Sequence, residues 1–212
     1  MTGVTSQAGT RATRMPREER RASLLEAANE VFTSRGYHAA AMDDIAEAAG
    51  VSKPVLYQHF PSKLDLYLAL LDASCDSLVE VVRGALASHE HNADRVVATI
   101  DAFYAFVSST SGEFRFVFES DLTGDGRVQE RLWRVNNDVA DSIAAVIAED
   151  TALPAEQAKL LAISLVGLAQ VGARYWVSDR SAAIGLEQAK QLVSTLAWRG
   201  ISGFPLHAPR EP

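Results

Sequence analysis

The sequence predicts an all-α protein with a three-helix N-terminal head, which carries a helix-turn-helix, and a larger helical C-terminal body. Apolar residues recur every three or four positions along most of the 212 residues, and no segment alternates convincingly like a strand. Two short helical patterns also meet at Gly50, and the second is rich in side chains that contact nucleic acids. Together these observations indicate the fold class.

The first helix of the head is predicted over residues 17–35. Its apolar positions follow the spacing i, i+4, i+7 and i+8, which is one face of a helix. The residues at these positions are Leu24, Ala28, Val31 and Phe32. Gly36 follows and is typical of a helix C-terminus, so we expect the helix to end there.

The helix-turn-helix is predicted within residues 40–60. Its first helix has an apolar face formed by Met42, Ile45, Ala46 and Ala49. Gly50 ends this helix, because glycine tolerates the left-handed conformation that helix C-termini favour. Ser52 can cap the next helix with its hydroxyl. Pro54 falls in the first turn of that helix, where its missing N–H costs nothing.

A long helix is predicted from the capping residue Ser62 to about Ser88, with Asp65 completing a variant of the capping box. At 1.5 Å per residue its length is about 40 Å, so we expect it to join the head to the body. Further helices are predicted over 94–109, 113–121, 126–149, 154–178 and 182–200. The predicted domains are therefore an arm (1–16), the head (17–63), a helical body (64–203) and a tail (204–212).

Charge is distributed unevenly along the chain. The net charge is −7, yet residues 1–63 hold 8 Lys and Arg against 7 Asp and Glu, whereas residues 64–212 hold 12 against 20. The acidity therefore lies where DNA contact is not needed. Arginines cluster at Arg11, Arg14, Arg17, Arg20 and Arg21. This arm either follows a DNA backbone or minor groove or is a solvated tail.

The last two helices are apolar on more than one face. The segment LAISLVGLAQVGARYWV contains small residues throughout, which allow close helix packing. Leu192, Leu196 and Trp198 add bulk in the final helix. We expect one face to pack in the body and the other against a second subunit, through residues of about 154–201. An intramolecular core is the alternative.

Several classes of protein are disfavoured. No nucleophile and base, phosphate-cradling loop or complete metal-ligand set is recognisable, so we predict no enzyme, cofactor or metal. No apolar run suggests a secretion signal or a membrane span, which predicts a cytoplasmic protein without membrane contact. The single cysteine, Cys75, is either a buried apolar residue or, less in keeping with its apolar neighbours, a reactive thiol.

The body contains candidates for an apolar ligand cavity. They are aromatic and branched residues on neighbouring helical positions, and an ordinary core is the alternative, because a core has the same composition. The candidate ligand-binding residues are Phe103, Phe106, Val107, Phe114, Phe118, Leu132, Trp133, Ile163 and Val166.

The head resembles the N-terminal domain of the TetR family of bacterial regulators. The matching residues are Gly36-Tyr37, Ile45-Ala46, Ala48 to Ser52, Leu56-Tyr57, His59-Phe60 and Lys63 to Leu66. The chain departs from the family at Ala40, where threonine is usual as a helix cap, and at Pro54, where glycine is frequent. The resemblance implies a homodimer whose recognition helices, Lys53 to His59, enter successive major grooves of a palindromic operator.

Candidate DNA-binding residues follow from the motif and the resemblance. Lys53 and Val55, at the start of the recognition helix, are expected at base edges. Phosphate contacts are expected from Tyr57, His59 and Lys63, with help from Tyr37. The alternative for the Tyr57 ring is packing on the core of the head. The full candidate set is Lys53, Pro54, Val55, Tyr57, Gln58, His59, Lys63, Tyr37 and Ala41.

The body is similar to TetR-type regulators of fatty-acid synthesis that respond to long-chain acyl-CoA. The similarity is carried by FRFVFESDL, SLVGLAQVGARYW and AWRGISGFPL. It implies release of DNA when a long acyl chain fills an apolar tunnel. The arginines considered for the CoA phosphates are Arg115, Arg127, Arg131 and Arg134.

Three alternatives stay open. One is a TetR-type repressor of an efflux or other operon that senses a different apolar molecule, for which Glu113, Glu119 or Asp138 could supply acidic contacts. The others are a helical interaction module that does not bind DNA and, more remotely, an all-α enzyme.

Overall fold

The protein is all-α in the part that the structure describes. The computed structural model describes residues 16–109, 112–118, 122, 124–178 and 183–201. Its helices are α1 (Arg17–Ala39), α2 (Met42–Ala48), α3 (Lys53–His59), α4 (Lys63–Ala87), α5 (Asn92–Ser108), α6 (Glu113–Phe118), α7 (Gly126–Asp150), α8 (Ala155–Val177) and α9 (Leu186–Ile201). The predicted fold class is confirmed.

The head consists of α1, α2 and α3, and glycines mark both predicted breaks. Gly36 has φ 75° and ψ 164°, which interrupts α1 as expected, although one helical turn resumes beyond it. Gly50 has φ 63°, the left-handed conformation predicted for the turn between α2 and α3. Leu24, Ile45 and Leu56 are fully buried where the three helices meet.

Two capping predictions for the head were wrong. Ser52 occupies the N-cap of α3, but its side chain makes no capping hydrogen bond. The N-cap of α2 is Ala41 rather than Ala40, which is buried. The Asp44 carboxylate accepts a hydrogen bond from the Ala41 amide at 3.3 Å, so one half of a capping box compensates for the missing hydroxyl.

Helix α4 belongs to both the head and the body. Ser62 caps it as predicted, since the Asp65 amide donates to Ser62 Oγ at 3.1 Å and Ser62 Oγ donates to the Asp65 carboxylate at 2.7 Å. The predicted boundary at 63/64 therefore falls in the first turn of α4. From there α4 packs on α1 and α6 and then on α5 and α7.

The body is built around α4, α5, α7, α8 and α9, and its core is continuous with that of the head. Tyr104 and Val135 are among its most completely buried side chains. Cys75 is buried as well, and burial raises the pKa of its thiol to about 12. The thiol therefore stays protonated at neutral pH, which disfavours a reactive role.

Helix α8 carries an apolar stripe that nothing in the described chain covers. Leu160, Ile163, Val171 and Tyr175 are 65%, 48%, 60% and 55% exposed. These positions recur at helical spacing and therefore lie on one face. By length and composition α8 could also cross a membrane, which corrects the expectation that no segment reaches that length.

Some predictions lie outside the described residues. They are the arginine-bearing arm up to residue 15, the tail after 203, Glu119, and the end of the sixth helix, which was predicted to reach 121.

Candidate DNA-binding surface and ligand cavity

The recognition helix α3 presents a polar face to solvent. Lys53, Pro54, Tyr57 and Gln58 are exposed, while Val55 and His59 are half-buried. Leu56 lies on the opposite side and is fully buried, so it fixes α3 on the head. Tyr57 is 40% exposed, which leaves part of its ring available to a partner.

Lys53 is paired with an acidic neighbour on α2. Its Nζ lies 2.7 Å from Asp43 Oδ1, and both side chains are more than half exposed. The hydrogen bond to Asp43 raises the pKa of Lys53. An anion that binds at the start of α3 would therefore have to compete with Asp43 for this cation.

Removing the Asp43 charge should strengthen DNA binding. We expect Asp43→Asn to raise affinity for operator and random duplex alike by about threefold at low salt, because it releases Lys53 and removes repulsion from phosphates. Fluorescence anisotropy with labelled duplexes measures the change. The advantage should shrink as salt screens these exposed charges.

Glu47→Gln is the matched control for this prediction. It removes one negative charge from the same face of α2 without breaking the pair with Lys53. A smaller gain for Glu47→Gln than for Asp43→Asn is expected. Equal gains would show that release of Lys53 contributes nothing.

Lys63 is engaged with the protein backbone rather than directed to solvent. Its ammonium donates to the carbonyls of Tyr37 and Ala40, both at 2.8 Å, and approaches that of His38 at 3.5 Å. It also lies 4.5 Å above the Tyr37 ring. The three N–H donors of the ammonium are thus directed at the α1–α2 connection. The sequence had predicted a phosphate contact for Lys63 and not these backbone contacts.

Tyr37 lies in an aromatic cluster at the base of the head. Its ring centroid is 5.9 Å from that of Phe32 and 5.2 Å from that of Tyr67. Burial raises the pKa of its phenol. The remaining candidate, Ala41, is exposed at the start of α2.

An apolar cavity lies inside the body between α4, α5, α7, α8 and α9. It encloses about 130 Å³. Its wall is mainly aliphatic and aromatic, with a few polar groups at the first turns of α5 and the end of α7. The lining includes Leu78, Val82, Leu86, Ile100, Phe103, Val139, Ile143, Val146, Ile147, Leu165, Val166 and Trp198.

The cavity contains few of the predicted ligand residues. Phe103 and Val166 line it, and so does Trp198, which the sequence had placed at the subunit interface. The other candidates lie outside this wall. Phe106, Val107 and Phe114 are buried in the core, Phe118 and Leu132 pack against that core, and Trp133 and Ile163 are 70% and 48% exposed.

The described charged residues among the candidates for ligand contact also lie outside the cavity wall. Arg131 pairs with Asp72 at 2.6 Å, Arg127 with Asp125 at 3.4 Å and Arg134 with Glu130 at 3.3 Å. Arg115 donates to the Thr33 carbonyl at 2.8 Å. Glu113 accepts from Ser77, and Asp138 is also absent from the wall. Sequence patterns missed Arg95 and Asp150, which do line it.

Aromatic rings of α6 lie between the cavity and the head. Phe103 contacts Phe118 at a centroid distance of 5.8 Å, and Phe116 contacts Tyr67 at 5.4 Å. At the start of α6, Gly112 has φ 75°, and a Cβ there would lie 2.7 Å from Thr33 Oγ1. The approach of α6 to α1 therefore requires glycine.

Comparison with known proteins identifies the chain. Residues 24–70 match the family model described as bacterial regulatory proteins, tetR family. The HTH-type transcriptional activator FasR of Mycolicibacterium smegmatis is 43% identical over 92% of this chain and 89% of its own length. The chain belongs to the TetR family. It is therefore a DNA-binding transcriptional regulator and not an enzyme.

Solved TetR-like structures share this architecture. A TetR-like regulator from Rhodococcus sp. RHA1 superposes with a TM-score of 0.66 at 27% identity, covering 90% of this chain and 100% of that one. FadR from Bacillus subtilis, solved in complex with stearoyl-CoA, superposes with a TM-score of 0.70 at 16% identity, covering 87% and 99%. The second likeness concerns the fold alone.

Membership of the TetR family assigns the helix-turn-helix to operator DNA. The TetR match covers α2 and α3 completely and ends within α4. The exposed face of α3 is thus the surface that such a regulator directs at its operator.

Proposed function

We propose that the protein controls fatty-acid or lipid synthesis genes as a homodimer and releases its operator when a long-chain acyl-CoA enters the body. The apolar cavity enclosed by five helices is the single observation that carries this proposal. The resemblance of the C-terminal sequence segments to acyl-CoA-responsive regulators supports an acyl-CoA as the ligand.

The homodimer is supported by the uncovered stripe on α8. Together with Leu192 and Leu196 of α9, which are 56% and 60% exposed, the stripe forms an apolar surface across two adjacent helices. Ser164 and Gly167 lie along the same stripe, and small residues permit close helix packing. Two copies joined here would present two α3 helices to a palindromic operator.

DNA contact is proposed for the exposed candidates of the head. Lys53 and Val55 would meet base edges, with Pro54 and Gln58 beside them. Tyr57, His59 and Ala41 would lie at phosphates. We assign Tyr37 and Lys63 to positioning the α1–α2 connection, because the Lys63 ammonium lies over the Tyr37 ring and donates to the backbone carbonyls there.

The acyl chain is proposed to act by widening the cavity. Its volume of about 130 Å³ is below the roughly 300–1,000 Å³ of pockets that hold drug-sized ligands. A long chain must therefore separate α4 from its neighbours as it buries its methylenes, each contributing about 0.8 kcal/mol. Since α4 and the rings of α6 also contact the head, this separation would move the two α3 helices out of register with DNA.

The test is operator binding with and without effector. The purified protein should bind a DNA fragment from upstream of a fatty-acid synthase gene of its source cell, and long-chain acyl-CoA should abolish binding whereas free CoA should not. Operator binding that is unchanged by acyl-CoA would overturn the assignment of acyl-CoA as the ligand. Failure to bind that fragment above random duplex would overturn the assignment of the regulated genes.

A larger side chain in the cavity should weaken the response to acyl-CoA without changing the affinity for DNA. Val146 lines the cavity and its neighbour Ala145 is exposed. We expect Val146→Phe to raise the acyl-CoA concentration needed for half release by about tenfold or more, because the added ring occupies space the chain needs. Operator affinity without ligand should change little, as measured by anisotropy.

Ala145→Phe is the control for cavity filling. It adds a ring on the same helix but towards solvent, so the response to acyl-CoA should be retained. An unchanged response in Val146→Phe would place the acyl chain elsewhere.

A further inference from the structure

The cavity has a polar end on the side away from the head. Asn92, Arg95 and Thr99 of α5 line this end together with Asp150 and Thr151, where α7 finishes. Phe103 lies further along α5, about 16 Å from Asn92 by helical rise, and contacts α6. A ligand in the cavity thus has a polar group available at one end and an apolar wall leading towards the head.

Two oxygen atoms at this polar end are buried without a hydrogen-bond partner. They are Thr99 Oγ1 and Asp150 Oδ2. Arg95 forms an ion pair with Asp150, but its NH1 lies 3.7 Å from Asp150 Oδ2, which is too long for a hydrogen bond. Arg95 instead donates to the His89 carbonyl at 2.8 Å and to Asn92 Oδ1 at 3.3 Å.

The chemistry of these two oxygens restricts what could satisfy them. A carboxylate oxygen only accepts, so Asp150 Oδ2 needs a donor from the ligand, whereas the Thr99 hydroxyl can donate to an acceptor. Buried polar groups in native proteins almost always have partners. Because Arg95 forms an ion pair with Asp150 at this end, the two charges offset each other, and the carboxylate of a free fatty acid would gain no net attraction here. A neutral group that both donates and accepts fits the pair.

We infer that Thr99 and Asp150 bind the first amide of the pantetheine arm of an acyl-CoA. Its N–H donates to Asp150 Oδ2 and its carbonyl accepts from Thr99 Oγ1. This inference rests on the proposed function and adds the orientation of the ligand. The acyl chain runs towards Phe103 and the head, and the CoA nucleotide leaves between the start of α5 and the end of α7.

Two neutral probes that differ only near the thioester test this assignment. The palmitoyl thioester of N-acetylcysteamine carries the first amide, whereas S-ethyl palmitothioate lacks it. Wild-type protein should bind the amide probe about three- to tenfold more tightly, as expected for one or two net hydrogen bonds in a buried site. Competition with palmitoyl-CoA in a binding titration measures both probes.

The preference should depend on the two oxygens. Thr99→Val and Asp150→Leu should each reduce the preference to about twofold or less, with little change for S-ethyl palmitothioate, because neither new side chain can hydrogen-bond to the amide. Thr151→Val is the matched control, since the Thr151 hydroxyl also lies at the cavity but already donates to the Ile147 carbonyl at 2.7 Å. It should retain the wild-type preference.

The outcomes separate this inference from the proposed function. If both probes bind and neither variant alters their ratio, the amide assignment is overturned while the acyl-CoA assignment stands. If palmitoyl-CoA and both probes fail to bind wild-type protein, both assignments are overturned.

Discussion

Val171→Glu is expected to produce a monomer of 22.9 kDa and to weaken operator binding by about 100-fold or more. Val171 lies at the centre of the uncovered α8 stripe and is 60% exposed. A carboxylate there would be buried without a partner if two copies associated, which opposes dimerisation. A monomer has a single head and binds one half-site, so it lacks the gain in affinity that two linked heads obtain by binding both half-sites together.

Light scattering after gel filtration measures this change, and Val97→Glu is its control. Val97 is 44% exposed on α5, away from the α8 stripe, so the same substitution should leave a dimer of twice 22.9 kDa. Circular dichroism should show full helicity for both variants. A dimer that persists in Val171→Glu would place the subunit interface on another surface.

Lys63→Met is expected to lower the free energy of unfolding by about 1–3 kcal/mol and to weaken binding to operator and random duplex together. The substitution retains the aliphatic stem but removes the ammonium that Tyr37 and Ala40 carbonyls accept from. These half-buried carbonyls then lose a charged donor, and the α1–α2 connection loses its anchor. Chemical denaturation measures the stability, and anisotropy measures the binding.

Lys53→Met is the control, because it removes the same charge from a side chain of α3 that is more than half exposed. It should leave stability unchanged and lower the slope of log affinity against log salt by about 0.9, the value for one lost phosphate contact. Lys63→Met should leave that slope unchanged. The reverse pattern, an unchanged stability with a reduced slope, would return Lys63 to the phosphate role inferred from sequence.

The helices were predictable because their boundaries depend on local chemistry. Gly36 interrupts α1 and Gly50 follows the end of α2, both with positive φ, and Ser62 starts α4 by capping, so each acts within a few residues of its own position. The all-α class follows from apolar spacing alone. The cap of α2 was not predictable. Its N-cap residue has no hydroxyl, and the Asp44 carboxylate instead accepts a hydrogen bond from the Ala41 amide, which the spacing of apolar residues does not reveal.

The candidate sites were predictable only where exposure follows from helix position. The polar face of α3 was identified because the motif fixes which residues face outward. The backbone contacts of Lys63 could not be predicted, because the carbonyls that accept from it lie 23 and 26 residues away in sequence. The cavity was mostly missed for the same reason. Its wall comes from five helices, and an aromatic such as Phe106 has the same pattern in a core as in a cavity.

Helix α4 also determines how the molecule unfolds. Its first turn is held to the head, its second half lines the cavity, and the apolar core that it crosses is continuous from Leu24 to Ala189. Head and body therefore cannot lose their packing independently, and we expect a single cooperative melting transition rather than two. Any molecule that binds only the folded body then also protects the helix-turn-helix from denaturation, even while it weakens its hold on DNA.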